Sequence, residues 1–234
     1  MKDLGITKVF DLRSVPEIKR DGPEWQGVKV DAGVFAEARE EGEQKEGRIE
    51  RVWCPVFADK DYGPEKVAVR YREYAKNGPD GFVRAYQDIL AAAPDAYRTI
   101  LTHLSRPSPE PCLIHCTAGK DRTGVLVALL YLLCSVPTDV IAQEYALTDR
   151  GLEHLKPLFI ERLLKNPALE GSVEKVQNMI SSKAENMAAT LEMIQEVYGG
   201  AEAYVKEKLG LDEGAIQRLR RNLVSDEKPV LPKV

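Results

Sequence analysis

One stretch of this sequence carries residues able to do chemistry together: His115-Cys116-Thr117-Ala118-Gly119-Lys120-Asp121-Arg122-Thr123-Gly124. A cysteine and an arginine stand there with five residues between them. Five residues can curl into a loop whose backbone N–H groups point inward as an anion nest. A helix starting at the end of that loop adds its N-terminal dipole and its free N–H groups. Both effects favour a thiolate, so Cys116 is expected to act as a nucleophile toward phosphorus. Arg122 offers a planar fork matched to two phosphate oxygens, a geometry lysine lacks. Gly119 is expected to let the loop turn where a side chain would clash, and Gly124 to permit close packing at the helix start. Thr117, Ala118, Gly119, Lys120 and Gly124 are therefore candidate phosphate-binding positions. Of the cysteines at 54, 112, 116 and 134, only Cys116 has an arginine six positions on.

The chemistry also calls for a proton donor, because the leaving alcohol departs as an anion unless a carboxyl protonates it. Asp121 lies inside the segment itself. Asp59 and Asp61 follow a strand-like run and are the alternatives. No metal is asked for: His103, His115 and His154 have no ligand spacing, the cysteines form no CxxC pair, and no cofactor is implied.

The surrounding elements must position this segment. Cys112-Leu-Ile-His115 reads as a short buried strand before it, and Val125 to Cys134 as a buried helix after it. Lys8 to Leu12 and Arg51 to Phe57 read as two further strands, the first ending in an Arg13-Ser14-Val15-Pro16 turn. Helices are expected over 64–76, 80–104, 138–149, 152–165, 172–179, 183–197, 200–209 and 213–223. Residues 31–50 carry seven acidic and three basic residues with three glycines, and read as a solvated charged insertion. The order predicts an α/β fold, a central mixed sheet flanked by helices with an extended, mainly helical C-terminal half over 135–224. All 234 residues fit a single domain.

Composition narrows the classes further. The chain is 44% hydrophobic and 30% charged, with a formal net charge of −4. That is an ordinary globular balance, without the basic footprint of a nucleic-acid binder. The longest apolar run is ten residues, Val125 to Cys134. That is well short of the roughly 20 residues a transmembrane helix needs. With no signal-peptide pattern and four scattered cysteines, the expected setting is cytoplasmic with reduced thiols. Cys112 cannot bridge to Cys116, since positions four apart on a strand lie about 13 Å apart and a disulfide needs about 7 Å. Cys54 is the better resolving-thiol candidate, against core packing as the default.

The string His-Cys-Thr-Ala-Gly-Lys-Asp-Arg-Thr-Gly resembles the signature loop of the protein tyrosine phosphatase superfamily, in an atypical branch of bacterial and fungal tyrosine phosphatases. Phe10-Asp11-Leu12-Arg13-Ser14 with Glu17, Glu144 to Asp149, and Leu209-Gly210-Leu211 are similar to the same branch. One departure is that members usually carry an Asn-Phe-Arg-like segment before the Asp-Leu-Arg strand. The resemblance implies a cysteine-phosphatase fold and a metal-independent phosphatase with a phosphocysteine intermediate. It implies Cys116 as nucleophile, Arg122 as phosphoryl binder and Asp121 as general acid. Thr123 would assist breakdown of the intermediate, its other reading being a helix cap. His115 would order the loop. Lys120 would go with phosphoinositide acceptance, or simply raise the loop's potential. The implied partners are a phosphorylated protein, phosphotyrosine first, or a phosphoinositide, with phosphate or sulfate binding at the loop. Helices over 138–165 would pack over the site, bringing Arg150 and Lys156 toward a second phosphate. The rival readings are a phosphoinositide phosphatase proper, a catalytically weak phosphate-binding module, and a sulfur transferase, which the Arg122-Thr123-Gly124 ending disfavours.

Overall fold

The computed structural model describes residues 4–21, 49–57 and 63–225. Most of the charged 31–50 segment, together with Asp59 and Asp61, lies outside the described residues. Three short strands form one sheet: β1 (Lys8–Asp11), β2 (Glu50–Trp53) and β3 (Cys112–His115). Their order is β2-β1-β3. Asp11 ends the central strand opposite Trp53 on one side and His115 on the other. Where the sequence suggests a mixed sheet, the described strands all run parallel. A parallel return needs a long crossover, and the helices between β2 and β3 supply one.

The helices are α1 (Val15–Asp21), α2 (Pro64–Tyr74), α3 (Asp80–Ala92), α4 (Pro94–Leu104), α5 (Arg122–Leu133), α6 (Thr138–Gly151), α7 (Lys156–Leu164), α8 (Val173–Ile180), α9 (Ala184–Tyr198), α10 (Ala201–Glu207) and α11 (Glu213–Leu223). The 80–104 stretch is two helices, because Pro94 cannot donate the next helical hydrogen bond and its ring crowds the preceding turn. Helix α1 stands where the sequence suggested only a turn. Its signal is Ser14-x-x-Glu17, the spacing of a capping box, and Glu17 Oε2 does accept from the Ser14 N–H at 3.0 Å.

Helix α5 is apolar around its circumference, as a helix with protein on most sides tends to be. Val125, Leu126, Leu129 and Leu133 are completely buried in the core. That core also takes Phe10 and Leu12 from the first strand region and Tyr86, Tyr97 and Tyr204 from the helices. Helix α5 is thus clamped between the sheet end and the helical half, which fixes the loop at its start. No helix among the described residues is long and apolar enough to cross a membrane.

Candidate active site

The loop 116–121 joins the end of β3 to the start of α5. Gly119 has φ +71, a left-handed conformation that L side chains rarely adopt. The space around it is open, so backbone angle rather than an expected clash demands glycine. At Gly124 space does decide: a Cβ there would sit 3.3 Å from the Tyr145 ring. His115 Nδ1 lies 2.9 Å from the Cys116 carbonyl oxygen. Burial pushes the His115 pKa down, despite the opposing charge of Asp11. The ring is therefore neutral at pH 7 and its Nδ1–H donates to that carbonyl, fixing the loop's first residue.

Arg122 is turned inward onto a buried carboxylate. Its Nη1 donates to Glu17 Oε2 at 2.7 Å and its Nη2 to Glu17 Oε1 at 2.6 Å. Nη1 also reaches the Leu12 carbonyl at 3.3 Å, and Nη2 the Thr117 hydroxyl oxygen at 3.2 Å. Thr117 in turn donates to Glu17 Oε1 at 2.5 Å. Glu17 and Arg122 are only 4% and 8% exposed. A bidentate pair this dry fixes both position and plane of the guanidinium. The Arg122 carbonyl accepts from the Tyr97 hydroxyl at 2.6 Å, anchoring the helix start from below.

Asp121 immediately precedes α5 but makes no capping hydrogen bond with it. Its Oδ1 accepts from Tyr86 at 2.9 Å and pairs with Lys120 Nζ at 2.8 Å. Thr123 Oγ1 is buried without a hydrogen-bond partner among the described residues, so it caps nothing. Cys116 is 5% exposed and borders a cavity of about 200 Å³. Glu17, Thr117, Ala118, Lys120, Asp121 and Arg122 share that cavity.

The pattern of the tyrosine phosphatase family matches residues 1–225. The chain belongs to that family. It is similar to the triple specificity protein phosphatase PtpB of Mycobacterium tuberculosis, 26% identical over 245 residues, covering 94% of this chain and 83% of that one. It is also similar to a tyrosine-protein phosphatase of Nostoc commune, 28% identical over 225 residues, covering 93% of this chain and 74% of the other. The protein is a tyrosine phosphatase-type hydrolase, and the resemblance read from residues 115–124 holds for the whole chain.

Several placements differ from the sequence reading of this family site. Lys120 borders the cavity, but its Nζ is held by protein, donating to the carbonyls of Met179 at 3.1 Å and Ser181 at 3.3 Å. It also lies over the rings of Phe82 at 4.8 Å and Tyr74 at 5.3 Å. Burial alone would lower its pKa, but the Asp121 carboxylate beside it outweighs that and raises it. Lys120 is thus a charged staple between the loop and the end of α8. Of the two cations assigned to a second phosphate, Lys156 borders the cavity and pairs with Asp149 at 2.6 Å. Arg150 is exposed and does not border the cavity. The cavity's outer wall comes from Phe159 and Leu163 of α7, Met179 of α8 and Tyr71 of α2. The covering element is therefore α7, without α6.

Cys54 is a free, buried thiol of the core. Trp53 and His115 both stand opposite Asp11, so Cys54 and Cys116 flank the central strand one residue further on. Two strand spacings separate them, about 9.6 Å, beyond the roughly 7 Å a disulfide spans. Burial and the neighbouring Asp11 push the Cys54 thiol up to about 12.

The residues that sequence reasoning missed are those that hold the loop from outside. Asp11 is fully buried and accepts from Arg13 Nη2 at 2.9 Å and Arg51 Nη2 at 2.5 Å. Burial alone would raise its pKa, but the hydrogen bonds and charge of Arg13 overcome that and hold its carboxyl below the usual range. Glu17, Tyr86, Tyr97 and Tyr145 are the others. Asp11, Glu17 and Tyr145 lie in segments that resemble the family, though no role was read for them, and Glu17 also shows its spacing from Ser14; Tyr86 and Tyr97 carry no such signal.

Proposed function

We propose that this chain hydrolyses phosphate monoesters through Cys116, with phosphotyrosine on proteins the first substrate and phosphoinositides a second class. The observation that carries this reading is the Glu17–Arg122 fork held at the floor of a 200 Å³ cavity that Cys116 also borders. A fixed guanidinium beside a nucleophilic sulfur is what an in-line attack on a phosphoryl group requires. The apolar wall of Tyr71, Phe159 and Leu163 suits an aryl leaving group. The triple specificity in the name of the mycobacterial relative supports acceptance of more than one substrate class.

In this reading the Cys116 sulfur attacks phosphorus, an S–P bond forms and the bond to the leaving oxygen breaks. Arg122 and the loop N–H groups meet the charge that spreads over the phosphoryl oxygens. Asp121 gives its proton to the leaving oxygen. Water then attacks the phosphocysteine, Asp121 takes a proton from it, and the S–P bond breaks. The unpartnered Thr123 hydroxyl stands at the start of α5 to donate to the departing sulfur.

Two measurements test this. Cys116→Ser is expected to abolish turnover while inorganic phosphate still raises the unfolding temperature; full turnover in that variant refutes the scheme. A phosphotyrosine peptide and short-chain phosphoinositides, compared side by side, are both expected to be hydrolysed. Inertness toward the peptide would reassign the enzyme to lipid substrates.

A further inference from the structure

The proton donor of this site is not held by its own helix. Asp121 stands directly before α5 yet gives it no capping bond. Its hold comes from Tyr86, on α3, whose hydroxyl donates to Oδ1 at 2.9 Å, and from Lys120 Nζ at 2.8 Å on the same oxygen. Among the described residues Oδ2 has no hydrogen-bond partner, and the side chain is 26% exposed at the cavity.

Tyr86 is built to do this one thing. It is wholly buried, and its ring meets Phe82 at 5.8 Å and Tyr145 at 6.4 Å, both edge-on. Its hydroxyl lies 2.6 Å from that of Tyr145. A phenol has one hydrogen. Since Tyr86 spends its own on Asp121, the hydrogen between the two phenols comes from Tyr145. Tyr145 therefore orients Tyr86, and Tyr86 orients Asp121. Burial holds both phenols protonated well past neutral pH. Gly124 eases the arrangement, because a Cβ there would press against the Tyr145 ring at 3.3 Å.

We infer that Tyr86, backed by Tyr145, is the positioning residue for the general acid of this phosphatase. The inference rests on Asp121 being that acid. The physical reason is an asymmetry between the two carboxyl oxygens. Oδ1 already faces two donors, so the transferable proton of the neutral acid must sit on Oδ2, the oxygen without a protein partner. When the P–O bond breaks, that proton passes to the leaving oxygen, and the new carboxylate charge is met at Oδ1 by Tyr86 and Lys120. Without Tyr86 the carboxyl can rotate, and the proton no longer has a fixed side.

The test separates this role from a structural one by leaving group. Phenyl phosphate needs a proton to depart, whereas 2,4-dinitrophenyl phosphate does not. Rates on both are measured for the wild-type chain, Tyr86→Phe, Tyr145→Phe, the double variant and Asp121→Asn. General acid catalysis contributes about 100-fold or more. Asp121→Asn should therefore lower the phenyl to dinitrophenyl rate ratio by about that factor. Tyr86→Phe should lower the same ratio about 10-fold in kcat, with KM changed less than about 2-fold. Tyr145→Phe should act in the same direction, and more weakly. If Asp121→Asn lowers the ratio while Tyr86→Phe and the double variant lower both rates equally, or neither, the positioning role is overturned and the acid assignment stands. If Asp121→Asn leaves the ratio unchanged, the acid assignment falls, and the positioning role with it. Should Tyr86→Phe not fold, Tyr145→Phe decides by the same ratio.

Discussion

Replacing Glu17 by glutamine tests how the phosphate-binding arginine is held. The two side chains have nearly the same shape, so the change is one of charge and hydrogen-bond polarity. Among its contacts, Glu17 accepts hydrogen bonds from Arg122 Nη1 and Nη2, Thr117 Oγ1, and Ser14 N and Oγ. Every partner is a donor in that arrangement. A glutamine NH₂ must therefore face donors whichever way the amide lies. Placed at Oε2 it opposes Arg122 Nη1 and both Ser14 groups; placed at Oε1 it opposes Arg122 Nη2 and Thr117. The hydroxyls of Ser14 and Thr117 can turn to accept, but an Arg122 N–H cannot, so at least one Arg122 bond fails in either orientation, and a guanidinium only 8% exposed loses its counter-charge. Removing one partner of such a buried pair costs about 3–5 kcal/mol. For a domain of this length each kcal/mol moves the melting temperature by about 2–4 °C, so the expected fall is roughly 6–20 °C. Differential scanning calorimetry reads it directly. Inorganic phosphate should restore part of the loss, because it offers Arg122 the acceptors that Glu17 no longer does. The decisive control is a double-mutant cycle with Arg122→Met. Additive losses, or a melting temperature within about 2 °C of wild type for Glu17→Gln, would refute the claim that Glu17 fixes Arg122.

Two further expectations concern the loop itself. Because burial lowers the His115 pKa, the unfolded chain binds a proton that the folded one refuses, so this contribution to stability is complete above the ordinary histidine value of 6.5 and is lost as pH falls below it; urea midpoints at pH 7.5 and 5.5 should show that loss, and His115→Asn should reduce it. Gly119→Ala forces a Cβ into a backbone at φ +71 with no clash to relieve, so its cost should be about 1–2 kcal/mol with activity largely lost; an unchanged urea midpoint would show that the loop adopts another path.

The loop was legible in the sequence because its chemistry is local. Cys116, Gly119, Asp121 and Arg122 lie within seven residues, and their spacing is set by the curl of a single turn around an anion. The strand Cys112–His115 and the apolar helix behind it were legible for the same reason. What could not be read is what a chain of one-letter types does not encode: which distant group each side chain meets. Lys120 could be placed in the loop but not aimed, since its aim depends on the carbonyls of Met179 and Ser181, 59 and 61 residues away. Tyr86 and Tyr145 look like ordinary core aromatics until α3 and α6 bring their hydroxyls together. Parallel pairing was missed because a four-residue strand shows no direction of its own; the helices between strands decide it.

The Glu17–Arg122 contact spans 105 residues, and this gives the site a timetable. A ribosome adds about 5–20 residues per second, so Glu17 emerges roughly 5–20 s before the arginine that neutralises it. In that interval β1 also lacks β3, one of its two partners, since the central strand is made first. The amino-terminal segment can take β2 as a partner, but its other strand edge and Glu17 must be kept from wrong partners until half the chain has been made. The phosphate-binding arginine is fixed only when Arg122 and the helix behind it arrive to meet Glu17, and the cavity walls of α7 and α8 follow later still.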